Sequence, residues 1–95
     1  MKKLPKKVLI YGQYWQVKIE AITEDLAGEC DYTNQIIYIN SKIPKKDYHE
    51  TLIHEFIHAT LYRCGMYQAL SKRENEAISE ALTVAFLENV SIKWG

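Results

Sequence analysis

The chain has little that could hold a small protein together covalently. Its 95 residues include two cysteines, Cys30 and Cys64. They lack C-x-x-C spacing, and a single pair is no disulfide framework. Both are expected to remain thiols in a reducing cytoplasm. No apolar run approaches the ~20 residues of a membrane span, which argues against a membrane partner. Residues 8–11, behind Lys2, Lys3, Lys6 and Lys7, are too short a run for a signal peptide. Net charge is absent as well, since 12 basic residues balance 12 acidic ones. That balance argues against a general nucleic-acid binder, and the lysine-rich start reads as a solvated N-terminus. There is no internal repeat and no low-complexity tract. What remains is 47% hydrophobic, enough for one compact core, and a single domain over residues 1–95 is expected.

The first half reads as strands. Residues 7–11 form one, residues 12–13 a turn, and residues 14–20 alternate with Trp15, Val17 and Ile19 on one face. Residues 29–32 and Ile36–Asn40 flank a turn and form a hairpin. Two helices follow. Asp47 with Glu50 makes a capping-box-like start for the first, and Gly65 suits the left-handed position that ends it. Ser71 and Glu74 form an S-x-x-E capping box for the second, which runs to about residue 92. Ala77, Ile78, Ala81, Leu82, Val84, Ala85 and Phe86 run nearly all round this second helix and predict its burial. The expected class is α+β: a small, mostly antiparallel sheet of three to four strands, with two long helices packed on one side. Trp94 folds back on the core or meets a partner, and the sequence leaves both open.

The chemistry concentrates in the first helix. His54-Glu55-Phe56-Ile57-His58 is an H-E-x-x-H motif. Positions four apart in a helix differ by about 40° and share a face. His54 and His58 can therefore put two imidazole nitrogens on one Zn²⁺, and Glu55 projects beside the first ligand as a general base toward water. Leu52, Ile53, Phe56, Ile57 and Leu61 fill the buried half of the wheel, with the histidines at its edge.

A catalytic zinc needs a third protein ligand. The second helix offers Glu74, Glu76, Glu80 and Glu88. Glu74 fits the capping role, and Glu88 lies near the helix end. Glu76 and Glu80 share a face, and carboxylates on a buried helix need a partner such as a metal with its histidines. Asn75-Glu76-Ala77-Ile78-Ser79-Glu80 resembles the N-E-x-x-S-D segment of thermolysin-type zinc peptidases, the gluzincins. The resemblance implies that Glu76 is the third ligand and that Glu80 orients a zinc-binding histidine, with Glu in place of the family's Asp. The gap from His58 to Glu76, 76 − 58 = 18 residues, is similar to the family's. Over residues 28–90 the chain also resembles minimal ImmA-type and SprT-like zincins of phages and mobile elements. That resemblance implies a metal-dependent protease fold.

The expected function is a zinc metalloendopeptidase acting on a protein or peptide substrate. Zn²⁺, one per chain, is held by His54, His58 and Glu76, with Glu55 as base. Tyr62, Tyr67 and His49 are the candidate donors to the oxyanion. Ile36, Ile37, Tyr38, Ile39 and Asn40 are a substrate-binding edge if that strand lies at the sheet's rim; a central strand is the other reading. The competing function is a non-catalytic module in which zinc staples two helices. Intact Glu55 argues against it.

Overall fold

The computed structural model describes residues 3–23 and 25–94. Lys7–Ile10 (β1) and Gln13–Glu20 (β2) form an antiparallel hairpin. Its two-residue turn puts both Tyr11 and Gly12 at positive φ, 48° and 78°, which matches the twist of a tight hairpin. Gly28–Asp31 (β3) and Ile36–Asn40 (β4) form the second antiparallel pair. β4 then lies parallel to β2, with Val17 opposite Ile37 and Ile19 opposite Ile39. The sheet order is β1-β2-β4-β3, a mixed sheet with one parallel pairing.

This order corrects the edge reading of Ile36–Asn40. Ile36, Ile37, Tyr38, Ile39 and Asn40 have a strand on each side. The physical reason is their composition: Ile37 and Ile39 are fully buried, and the most apolar strand takes the middle of the sheet. Asn40 closes the strand by pinning the following and preceding loops. Its Oδ1 accepts from the amides of Ile22 at 3.3 Å and Lys42 at 3.1 Å, and its Nδ2 donates to the Leu26 carbonyl at 2.8 Å.

Tyr48–Arg63 (α1) lies across the sheet and seals the core, where Leu52 and Ala59 meet Val8, Ile10, Trp15, Ile37 and Ile39. The Asp47 capping box does not form. A 3₁₀ turn, Lys45–Asp47, runs straight into the helix, so Asp47 already has helical dihedrals and its side chain accepts no capping bond. Gly65, at φ +86°, turns the chain out of α1 into the short helix Met66–Ala69 (α2). Lys72–Asn89 (α3) starts on the expected capping box. Ser71 Oγ accepts from the Glu74 amide at 3.0 Å, and Glu74 Oε1 accepts from the Ser71 amide at 2.9 Å.

α3 departs from expectation in where it packs. It rests on α1 rather than on the sheet, so α1 is a middle layer. Along α3 only Asn75, Ser79 and Thr83 are fully buried, a stripe of small polar residues at four-residue spacing. Leu82, Val84 and Leu87 stay about two-fifths exposed. One neighbouring helix covers one stripe, and the rest of the apolar circumference faces solvent. Trp94 folds back on the far side of α1, its ring 5.3 Å from Phe56. Among the described residues no helix is long and apolar enough to cross a membrane.

Candidate metal centre

One turn of helix separates His54 from His58, and the two rings converge. Their Nε2 atoms lie 3.1 Å apart. Glu76 reaches over from α3, with Oε1 3.2 Å from His58 Nε2 and Oε2 3.6 Å from His54 Nε2. Four donors at ~2.0–2.1 Å around a tetrahedral ion lie ~3.3 Å from one another. The 3.1 Å between the two imidazole nitrogens is close to that edge length, and one carboxylate oxygen of Glu76 lies within reach of each ring. Two imidazole nitrogens and a carboxylate oxygen are also a donor set that suits zinc. His54, His58 and Glu76 therefore form a group able to hold a metal ion.

The outer nitrogens of the two rings face different partners. His58 Nδ1 lies 3.2 Å from Ser79 Oγ, and Ser79 is fully buried. His54 Nδ1 lies 3.7 Å from Glu80 Oε2, too long for a direct hydrogen bond. Such outer partners fix a ligand's tautomer and orientation. Burial holds His58 below the ordinary imidazole pKa, against the opposite pull of the Glu76 carboxylate. The structure thus places Glu76 against both inner nitrogens and Glu80 against an outer one.

Glu55 is buried beside the triad at the junction of two cavities of about 310 and 250 Å³. Burial pushes its carboxyl up to about 7, and the nearby Glu76 and Glu29 charges add to the rise. The Cys30 thiol works the other way, lying 3.4 Å from Glu55 Oε1 and 3.2 Å from the Glu55 carbonyl oxygen. Burial, and then the Glu55 charge, raises the Cys30 thiol well above its usual range, so it stays a protonated donor. Cys30 reaches Glu55 because β3 passes unusually close to α1. A Cβ on Gly28 would sit 2.8 Å from both Thr51 Cγ2 and the Tyr38 carbonyl oxygen, and 3.1 Å from Glu55 Cγ.

No known family, curated protein or solved structure matches the chain.

The three oxyanion candidates fall in different places. Tyr67 lines the smaller cavity together with Glu55 and His58. Tyr62 is stacked on Tyr32, ring centroids 4.3 Å apart, in a cluster that Tyr67 joins. His49 accepts the Trp94 indole N–H at 3.2 Å, and neither cavity beside Glu55 includes it. Its assignment to the site is corrected accordingly: His49 lies in the first turn of α1 and meets Trp94. Sequence reasoning missed Cys30, Gly28 and Ser79. Ser79 carried a usable signal, a small polar residue four positions after Asn75 and three after Glu76 on the same helix. Cys30 and Gly28 carried none, because their roles arise where β3 crosses α1.

Proposed function

We propose that this protein is a zinc-dependent endopeptidase. The observation that carries the reading is the convergence of His54, His58 and Glu76 on one point, with nitrogens and carboxylate oxygens 3.1–3.6 Å apart, and a buried carboxylate, Glu55, beside them. A bound Zn²⁺ would supply Lewis acidity, polarising a peptide carbonyl and acidifying a water. Glu55 is the group placed to accept that water's proton and to pass it to the leaving amine. Its carboxyl near pH 7 in the metal-free protein suits exchange in both directions. Cys30 holds one carboxyl oxygen of Glu55 in place. Tyr67, which lines the smaller cavity with Tyr32, is the candidate donor to the developing oxyanion.

The substrate segment belongs along β3, the sheet edge nearest Glu55, in place of the central strand β4. An extended peptide can add to such an edge through main-chain hydrogen bonds. The bare backbone of Gly28 allows that edge to run against α1 at Glu55.

One feature favours a second reading, a zinc-stapled binding module. No apolar residue of α3 is fully buried, so a metal shared between the two helices would fasten the fold even without catalysis. Glu55→Gln separates the two. As an enzyme, the variant keeps one Zn²⁺ per chain by elemental analysis and loses about 10²–10⁴-fold in cleavage of a peptide library. Cleavage at the wild-type rate overturns the mechanism. Absence of cleavage by the wild type, with metal bound, favours the module.

A further inference from the structure

Phe56 lies two residues from each histidine of the triad, which turns it to the opposite face of α1. There it lines a cavity of about 470 Å³. Val8 and Tyr14 of the first hairpin, Phe86 of α3 and Trp94 of the C-terminal segment are among its other walls. Trp94 is fixed in that position. Its ring packs edge-on against Phe56 at 5.3 Å, and its indole N–H donates to His49 at 3.2 Å. The volume falls within the roughly 300–1,000 Å³ of small-molecule sites, whose lining is mostly apolar with few polar groups. The cavity shares no residue with the two beside Glu55.

The charges around it have one sign. Lys93 is the one charged residue among the described residues of its lining, and no carboxylate lines it. Lys93 is exposed, so its ammonium lies on the solvent side. Lys7 places a second ammonium 4.2 Å from the centroid of the Tyr14 ring, a wall residue. A neighbouring cavity of about 270 Å³ shares Ile92, Lys93 and Trp94 and adds Lys3, again with no carboxylate in its lining. Lysine stems lie along apolar surface while their ammonium groups stay in water. An apolar interior thus opens beside cations, which suits a molecule with an apolar chain and an anionic head.

We propose that this cavity binds a free fatty acid of medium length, with the alkyl chain among Phe56, Phe86 and Trp94 and the carboxylate toward Lys93. It has space for roughly 16 water-sized groups at ~30 Å³ each, enough for a ten-carbon acid. Size decides against a peptide helix. A volume of 470 Å³ is a cube roughly 8 Å on a side, and a helix with its side chains is about 10–12 Å across. Charge decides against a cationic amphiphile, which the lysines repel. The site needs no metal and does not depend on the peptidase reading.

The experiment is isothermal titration of the full chain with sodium decanoate below its micelle concentration, with and without Zn²⁺. The expected result is one decanoate per chain at the same affinity in both conditions, with a change in indole fluorescence that Trp94→Phe removes. Octanoate, two CH₂ groups shorter, should bind roughly 15-fold more weakly, about four-fold per CH₂. Phe86→Ala should weaken decanoate about tenfold through lost apolar contact. Lys93→Glu, at an exposed position where the fold is not at stake, should weaken it about 3–10-fold. Absence of saturable binding overturns the inference. So does decyltrimethylammonium binding as tightly as decanoate, or an affinity that both variants leave unchanged. Binding that requires Zn²⁺ would put the carboxylate on the triad, and binding to phosphatidylglycerol vesicles but not to free decanoate would make the patch a membrane contact; either result also overturns it.

Discussion

Replacing Glu55 by Gln should make the metal-free protein more stable, and by an amount that depends on pH. Glu55 is 8% exposed, and burial lifts its carboxyl from an ordinary 4.5 to about 7. Below pH ~4.5 the acid is neutral in both states and costs nothing extra. Above that the unfolded chain ionises while the folded protein holds the proton. The native state then binds more protons, and stability falls as pH rises toward 7. Beyond 7 the folded protein ionises too, and the deficit stays constant. At roughly 1.4 kcal/mol per pKa unit, a rise from 4.5 to about 7 is worth about 3 kcal/mol. That is a large part of the ~5–15 kcal/mol of a typical domain. Gln keeps an oxygen for Cys30 and never ionises. Urea denaturation of both proteins with chelator, at pH 5 and pH 8.5, gives the comparison. Glu55→Gln should gain about 3 kcal/mol at pH 8.5 and under about 1 kcal/mol at pH 5. Saturating Zn²⁺ should shrink the gap, because a nearby cation favours the carboxylate. An equal gap at both pH values, or a less stable variant at pH 8.5, would refute the reasoning.

Further outcomes follow from the geometry. Glu76→Ala should lose most of the Zn²⁺ affinity, while Glu80→Ala should weaken it by about 10–100-fold; competition with a chromogenic chelator ranks the two, and the reverse order would reassign the ligand. Gly28→Ala should destabilise by about 1–3 kcal/mol through overpacking against Thr51 and Tyr38, read by thermal melting. Tyr38→Pro should unfold the protein rather than merely block substrate. It deletes a donor from a central strand and costs about 3 kcal/mol or more, and circular dichroism reads the loss. Trp94→Ala should cost about 2 kcal/mol from its lost packing on Phe56 and bond to His49, with Zn²⁺ stoichiometry unchanged by elemental analysis.

The parts that were legible in the sequence are those fixed by local chemistry. His54 and His58 share a helix face because of their spacing alone. Ser71 and Glu74 announce a helix start because both halves of the capping box lie within four residues. Gly65 ends α1 for an equally local reason. The misread parts depend on what lies alongside. Ile36–Asn40 reads the same at an edge or in the middle until β2 is known to pair with it in parallel. The apolar residues of α3 imply burial on all sides, yet among the described residues α1 is the main element packed against it. Asp47 has the right side chain for a cap but receives the wrong backbone from the 3₁₀ turn before it. Cys30 gains its partner only because Gly28 lets two elements approach.

The polar stripe on α3 also bears on how the molecule comes apart. Asn75, Ser79 and Thr83 anchor eighteen residues of helix, and small polar groups contribute far less on docking than Leu or Phe would. Local opening should therefore begin there, with α3 lifting from α1 while the sheet and α1 stay folded. In metal-free protein the amides of α3 should exchange with deuterium well before those of β4, and proteases should cut first on the C-terminal side of Gly65. A ligand that bridges His58 and Glu76 ties the least stable helix to the most buried one. The susceptibility of α3 to cleavage would then track the concentration of free metal around the protein.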